Sequence, residues 1–164
     1  MKITEDAQLT GSPEDVFALR ATEDFQEERL ARSGALRHSH QVTTVGERTV
    51  ITTTRAMPTA QFPDAARRLV GNELVIHETQ DWGPPAADGS RQARVSLQVD
   101  GAPVTLKGTL DVLPNGAGSR QQLRAELKAS IPFVGGKIES AAAPAITYGF
   151  HLESEIVNER LGRG

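Results

Sequence analysis

The stretch IPFVGGKIESAAAPAITYGFHLESEI, residues 131–156, constrains the fold more than any other part of the chain. After the double glycine at 135–136, apolar or small residues recur at spacings of four, three, four, three and four, which is typical of one face of an α-helix. The face consists of Ile138, Ala142, Ala145, Gly149, Leu152 and Ile156. Its ends are bulky and its middle is small, so this long helix must cover a core with little side-chain volume at its centre.

The preceding sequence consists mainly of strand patterns separated by turn residues. Lys2–Thr10 alternates between apolar and polar residues, which predicts a half-buried strand. Ser12 and Pro13 predict the start of a short helix, and a second, charged helix over Thr22–Arg32 is expected to be mostly solvated. A further short helix is predicted at Pro63–Val70. Six more strands are predicted at Ala35–Val45, Arg48–Met57, Glu73–Trp82, Gln92–Val99, Val104–Leu113 and Arg120–Ser130.

This order of elements predicts an α+β fold. Consecutive strands joined by short turns pair antiparallel, so the chain should form a curved sheet of about seven strands. The amphipathic C-terminal helix then has one place to bury its apolar face, across the concave side of the sheet. The chain shows no internal repeat or linker, and residues 1–164 are expected to form one domain.

Two segments resemble the START-like superfamily, also called the helix-grip or polyketide cyclase/lipid-transport group. GSPEDVFALRATEDF, residues 11–25, resembles its opening helix, and IPFVGGKIE, residues 131–139, resembles the start of the last helix in an uncharacterised bacterial branch. Members typically hold hydrophobic ligands between sheet and helix, and they include aromatase/cyclase enzymes, lipid carriers, hormone receptors and co-chaperone modules. No catalytic motif of the superfamily matches this chain, so the resemblance implies a fold rather than an activity.

The small residues at the centre of the last helix allow two interpretations. They leave space that larger side chains would have filled, and an apolar space that persists suggests a binding cavity. Alternatively, they allow the helix backbone to lie directly on the sheet, with no cavity. Pro144 lacks a backbone donor and is expected to bend the helix near Ser140. The resemblance favours the cavity.

Polar residues on the inner strand faces are candidates for ligand contacts. If Gly46 and Glu47 form a two-residue turn, Val45 pairs with Arg48 and the more apolar face carries His38, His40 and Arg55. An arginine can bind a ligand carboxylate through two hydrogen bonds, and a histidine can donate a hydrogen bond or move a proton. Alternatively, these groups reach solvent or satisfy each other. The predicted ligand-binding set is Glu5, His38, His40, Ile51, Arg55, Leu97, Leu110, Ile138, Ala142, Ala145, Gly149 and Leu152.

Composition excludes several classes of site. The chain has no cysteine, which removes thiol catalysis and thiolate metal ligands. The pair at His38 and His40 has the spacing of zinc ligands on a strand, but no third ligand is apparent, so neither a metal nor a cofactor is predicted. The net charge of −3, with both signs interspersed, gives no nucleic-acid footprint. Without a signal core or a long apolar segment, we expect a cytoplasmic protein with no stable membrane insertion.

The leading hypothesis is binding or carriage of a small hydrophobic molecule, such as a lipid, an isoprenoid or a polyketide-like compound, between the sheet and the last helix. One alternative is a cyclase- or dehydratase-like enzyme that uses a histidine in the pocket and Arg55. Another is a protein-interaction module that uses the outer sheet face, although that face lacks an apolar patch. The sequence fixes neither the ligand, nor any catalytic residue, nor the oligomeric state.

Overall fold

A computed structural model of the protein describes residues 1–162, and Arg163 and Gly164 of the predicted domain lie outside the described residues. The strands are β1 (Lys2–Leu9), β2 (Arg37–Val45), β3 (Arg48–Pro58), β4 (Glu73–Trp82), β5 (Arg91–Val99), β6 (Val104–Asn115) and β7 (Gly118–Ala129). The helices are α1 (Pro13–Arg20), α2 (Glu23–Arg32), α3 (Asp64–Val70) and α4 (Gly135–Leu161).

The seven strands form one antiparallel sheet in the order β1-β7-β6-β5-β4-β3-β2. From β2 to β7, each strand pairs with the next along the chain, including β3 and β4, which are separated by residues 59–72 and α3. The predicted sheet, the two short helices after the first strand and the long C-terminal helix are confirmed. The predicted register of the first hairpin is confirmed too, because Val45 pairs with Arg48 across a turn in which Gly46 has a φ of 62°.

Both short helices begin where the sequence places a capping side chain. Ser12 accepts a hydrogen bond from the Asp15 backbone N–H at 3.2 Å, and Thr22 accepts one from the Phe25 N–H at 3.1 Å. Each cap satisfies a backbone donor that has no partner inside its helix. The two helices therefore start at fixed points and lie against the inner face of the sheet.

The inner face of the sheet is tightly filled near α1. We call this region the packed end, and its buried side chains are Val16, Phe17, Trp82, Ala93, Leu110, Val112, Ile156 and Val157. The rings of Phe17 and Trp82 meet edge to face with centroids 5.8 Å apart. The last turns of α4 therefore contribute branched side chains to the core.

Polar contacts hold the long helix α4 to the edge strand β1 and to α2. Glu5 on β1 accepts a hydrogen bond from Thr147 Oγ1 at 2.8 Å, which fixes the middle of α4 over the edge of the sheet. Near the C-terminus, Arg160 Nε donates to Glu28 of α2 at 2.9 Å. The helix continues through Pro144 without interruption. Within residues 1–162, no helix is both long and apolar enough to cross a membrane.

Candidate functional site: a cavity beneath the C-terminal helix

A cavity of about 780 Å³ lies between α4 and the sheet, at the end away from α1. We call this region the hollow end. Its volume falls in the range of small-molecule sites, which run from roughly 300 to 1,000 Å³. The strands contribute Arg55, Met57, Leu74, Ile76, Leu97, Val99, Val104 and Leu127, and α4 contributes Ile138, Ala141, Ala142, Pro144, Ala145, Ile146, Tyr148, Gly149, Leu152 and Glu153.

The small residues of α4 leave this space open. A Cβ placed on Gly149 would meet no heavy atom within 4 Å outside its own helix neighbourhood. If the helix lay directly on the sheet, the same atom would touch a strand. Ala142 and Ala145 line the cavity on the same face of the helix. The close-approach interpretation of Gly149 is therefore wrong, and the small side chains border a real space.

The segment between β3 and β4 forms a further wall. It contributes Thr59, Ala60, Gln61, Phe62, Ala66, Leu69 and Val70 to the lining. Thr59 holds the two ends of this segment together, because its N–H donates to the Asn72 carbonyl at 3.1 Å and its Oγ1 donates to the Gly71 carbonyl at 2.6 Å. None of the residues of α3 is buried. This wall therefore has one side toward the cavity and little that anchors it to the core.

Charged side chains close the cavity on the side of the packed end. Arg29 of α2 donates from Nη2 to Glu78 of β4 at 3.1 Å, and its Nη1 lies 2.8 Å from a carboxylate oxygen of Glu153 on α4. Arg55 of β3 donates from Nη1 to the other oxygen of Glu78 at 2.9 Å. Arg29, Arg55 and Glu153 line the cavity. Four separate elements, α2, β3, β4 and α4, are thus joined at one polar wall.

The polar wall continues into the packed end. Glu78 accepts a hydrogen bond from Gln80 at 3.0 Å, and Gln80 accepts one from the Trp82 indole N–H at 3.1 Å. On the helix side, Nη2 of the fully buried Arg20 lies 3.4 Å from Glu153 and also donates to Gln121. We call Arg20, Arg29, Arg55, Glu78 and Glu153 the buried ion network.

The network controls the protonation of Glu78. Burial alone would raise the pKa of its carboxyl group, but the guanidinium groups of Arg29 and Arg55 more than offset this and lower the pKa to about 2. Burial lowers the pKa of Arg20, which Glu153 partly opposes. Arginine nevertheless stays protonated in proteins. Glu78 and the arginines of the network are therefore ionised across the physiological pH range.

Seven of the twelve predicted site residues line the cavity. They are Arg55, Leu97, Ile138, Ala142, Ala145, Gly149 and Leu152. Their grouping follows from two periodicities, period two along the strands and the four-three spacing along α4. That they contact a ligand remains a prediction.

The other five predicted residues lie outside the cavity lining. Ile51 and Leu110 are buried in the hydrophobic core, where neighbouring side chains leave them no access to the cavity. Glu5 faces α4 from the edge strand and bonds Thr147, and its second oxygen lies 3.1 Å from Nε2 of His151. A carboxylate with two such partners is a structural contact of the helix.

His38 and His40 point to the inner face, but α2 covers them there. Nε2 of each ring lies 2.9 Å from a carboxylate oxygen of Glu27, and Nδ1 of His40 bonds Glu23. Hydrogen bonds from His38 and, next, from His40 lower the pKa of Glu27. The alternative that these polar groups satisfy each other therefore applies to both histidines. The described residues contain no group of three or more ligands arranged to hold a metal ion.

Sequence reasoning missed Arg29, Glu78, Glu153 and the wall formed by residues 59–70. The prediction that the second helix is mostly solvated was wrong for Gln26 and Arg29, which are buried. One signal was present, because Arg29 follows Phe25 at a spacing of four and Leu30 follows Gln26 at the same spacing, so each pair shares one face of the helix. No periodicity marks α3, since none of its residues is buried.

A family model described as a protein of unknown function, DUF2505, matches residues 4–161 of the chain. That is nearly the whole length. The chain belongs to this family. Curated relatives agree with the assignment: the uncharacterized protein Rv0481c of Mycobacterium tuberculosis and Mb0491c of Mycobacterium bovis are each 28% identical over 141 residues, covering 81% of this chain and 80% of the relative.

Solved structures of similar shape establish the fold of this family member. The Zhui aromatase/cyclase from Streptomyces sp. R1128 matches with a TM-score of 0.65 and 9% identity, over 99% of this chain and 94% of that one. TTHA0849 from Thermus thermophilus gives 0.64 and 16%, over 98% and 97%. A START superfamily protein from Mycobacterium smegmatis gives 0.59 and 10%, over 96% and 97%. The expected START-like, helix-grip fold is confirmed.

Proposed function

We propose that the protein binds and carries a small hydrophobic molecule in the cavity between α4 and the sheet. The observation that carries the proposal is the cavity of about 780 Å³ beneath α4, which Gly149 lines and where a Cβ added to Gly149 would touch nothing within 4 Å. Empty apolar space destabilises a fold, at roughly 24 cal/mol per Å³ in large-to-small variants. An apolar molecule in the cavity would remove that cost, so binding and stability are linked.

The chemistry of the lining supports an apolar guest. Aliphatic side chains dominate the walls, among them Leu97, Val99 and Leu127 on the strands and Ile138 and Leu152 on α4. Apolar surface removed from water contributes about 25 cal/mol per Å². Proteins of the same fold include one named as an aromatase/cyclase and one named as a STAR-related lipid transfer protein. A lipid, an isoprenoid or a polyketide-like compound fits such a lining.

The cyclase-like alternative has no observation of its own in this structure. It requires a histidine within about 3 Å of the reacting atom. None of the four histidines of the chain lines the cavity. His38 and His40 are engaged by carboxylates of α2, and His77 and His151 are exposed. Binding without chemistry is the function that the geometry supports best.

A pair of phenylalanine substitutions on one helix tests the proposal. Gly149→Phe places a ring in the cavity, whereas Gly136→Phe adds the same ring to an exposed position of α4 outside the lining. We expect the Gly149 variant to bind the neutral dye Nile red at least about tenfold more weakly than the wild type, a loss of about 1.4 kcal/mol. Fluorescence titration measures the dye affinity, and circular dichroism checks that both variants fold.

The control variant should bind the dye like the wild type. Native mass spectrometry of gently purified protein provides a second readout, in which a bound molecule appears as added mass on the wild type. Failure of the wild type both to take up dye and to retain any molecule would overturn the proposal. So would unchanged dye affinity in a folded Gly149→Phe protein.

A further inference from the structure

The buried ion network carries more positive than negative charge. It holds three guanidinium groups, those of Arg20, Arg29 and Arg55, and two carboxylates, those of Glu78 and Glu153. Three positive and two negative charges leave a net charge of +1. Moving a charged group from water into the protein interior costs several kcal/mol. A buried charge therefore requires a counter-charge.

Other carboxylates do not balance this excess. Glu23 and Glu27 face β2 from α2, but their side chains are 57% and 55% exposed and are engaged by His38 and His40. Water and salt screen charges at such positions. Among the described residues, Glu78 is the sole carboxylate within ion-pair distance of Arg55. The excess charge therefore belongs to the network as a whole, of which Arg29 and Arg55 border the cavity.

Arg29 and Arg55, the two arginines that line the cavity, differ in how many of their side-chain nitrogens have a hydrogen-bond or ion-pair partner. Arg29 donates from Nε to Gln26 at 2.7 Å, and its two terminal nitrogens contact Glu78 and Glu153. Arg55 uses only Nη1, toward Glu78. Its Nε and Nη2 have no hydrogen-bond partner among the described residues, and its side chain lines the cavity. The fully buried Arg20 also has two nitrogens without a partner, Nε and Nη1, but it does not line the cavity. Arg55 is thus the arginine whose unused donors border the cavity.

The net charge of +1 and the unused donors of Arg55 together indicate the chemistry of the missing counter-charge. A carboxylate carries one negative charge, which matches the excess, and its planar oxygens accept two parallel hydrogen bonds from a guanidinium group. A phosphate monoester carries about two negative charges near neutral pH, which would exceed it. Apart from Ser33, Thr59 and Gln61, the rest of the lining is apolar or aromatic, so the remainder of the molecule should be apolar.

We propose that the ligand of this cavity is an apolar molecule that ends in a single carboxylate, and that Arg55 binds the carboxylate. The inference rests on the proposed function, because it names the chemical class of the bound molecule. In the bound state the carboxylate lies beside Arg55 at the polar wall, and the apolar part extends along Leu97 and Val99 toward α4. The carboxylate then neutralises the network.

Competition against Nile red tests the proposal with three compounds of equal chain length: dodecanoic acid, 1-dodecanol and methyl dodecanoate. At pH 7.5 we expect the acid to bind the wild type about ten- to a hundredfold more tightly than either neutral compound, which is the range for a hydrogen bond to a charged group. This comparison uses the unaltered protein and needs no variant.

Variants at Arg55 then locate the preference. In Arg55→Gln the acid should lose its advantage, while the alcohol keeps its affinity. Arg55→Lys retains the charge without the planar fork, so part of the preference should remain. Arg37→Gln is the matched control, because Arg37 is exposed, pairs with Glu73 and lies outside the cavity. It should show the preference of the wild type.

The results of these titrations distinguish failure of the carboxylate inference from failure of the proposed carrier function. Equal affinity for acid and alcohol, or an acid preference that survives in Arg55→Gln, overturns the inference and leaves the carrier function standing. If neither the dye nor any of the three compounds binds the wild type, the proposed function fails, and the inference fails with it.

Discussion

The packed end and the hollow end of this protein share one sheet face and one helix, yet they are built in opposite ways. At the packed end, α4 contributes Ile156 and Val157, both fully buried. At the hollow end, the same helix contributes Ala142, Ala145 and Gly149, and a cavity of about 780 Å³ remains. Side-chain volume along one helix therefore separates the part that stabilises the fold from the part that can receive a guest.

The buried ion network lies at the boundary between the two ends. Arg29 and Glu153 border the cavity, while Arg20 lies among fully buried side chains and its guanidinium carbon is 5.8 Å from the centre of the Trp82 ring. Well-packed apolar residues often stabilise a protein as much as a buried ion pair does. Under the proposed function, the network also supplies the charge at the wall of the cavity that it faces.

Truncating an isoleucine at each end should give the largest contrast. Ile156→Ala leaves a void in filled surroundings and should lower the free energy of unfolding by about 2–5 kcal/mol. Ile146→Ala changes the same side chain on the same helix, but Ile146 is half-buried and borders space that already exists. It should cost less than half as much. Urea unfolding measures both, and equal losses would contradict the division into two ends.

Acid titration should reveal the network through Glu78. Its pKa is lowered from 4.5 to about 2 in the folded state, so its contribution is complete above pH 4.5 and is lost as the pH falls toward 2. The loss should reach about 3 kcal/mol. Urea unfolding at several pH values measures it as the difference between the wild type and Glu78→Gln. The half-buried Glu73→Gln, outside the network, should keep the wild-type profile, and identical profiles for all three proteins would refute this assignment.

Adding a methyl group to a strand glycine of the sheet should be harmful. A Cβ on Gly108 would lie 2.1 Å from the carbonyl oxygen of Arg124 and 2.5 Å from the Cα of Ala125. These are backbone atoms, so the strands must shift to accept it. Gly108→Ala should lower the free energy of unfolding by about 1–3 kcal/mol, measured by urea unfolding. A neutral result would mean that β6 and β7 separate without cost.

The same methyl group at the hollow end should have the smallest effect, and one of opposite sign. Gly149→Ala adds a Cβ that meets nothing within 4 Å, and alanine is the better helix former. We expect a gain of about 0.5–1 kcal/mol in the free energy of unfolding. Thermal unfolding of this variant beside Gly108→Ala measures the contrast. A clear loss of stability here would show that Gly149 touches the sheet.

Local chemistry made much of the fold predictable. The turn at Gly46 fixed the register of the first hairpin, and period-two alternation placed Leu97 on the inner face. The four-three spacing along the last helix identified its inward residues, including Gly149. These features depend on residues close together in the chain, so the sequence displays them directly.

The rest of the site depends on contacts between distant elements. Alternation showed that His38 and His40 face inward, but it could not show that Glu23 and Glu27 of α2 would cover them. The same limit hid the pairing of Glu78 with both arginines. Position on a strand face fixes the direction of a side chain, whereas its partner depends on which helix crosses that part of the sheet.

The space between α4 and the sheet can be measured directly in a crystal of the ligand-free protein pressurised with xenon. Xenon enters dry apolar cavities and is located by its electron density. We predict one or more xenon sites within the space bordered by Leu97, Ala145 and Gly149, with α4 standing off the strands. No xenon there, together with Gly149 in van der Waals contact with the sheet, would contradict the cavity and with it the carrier function.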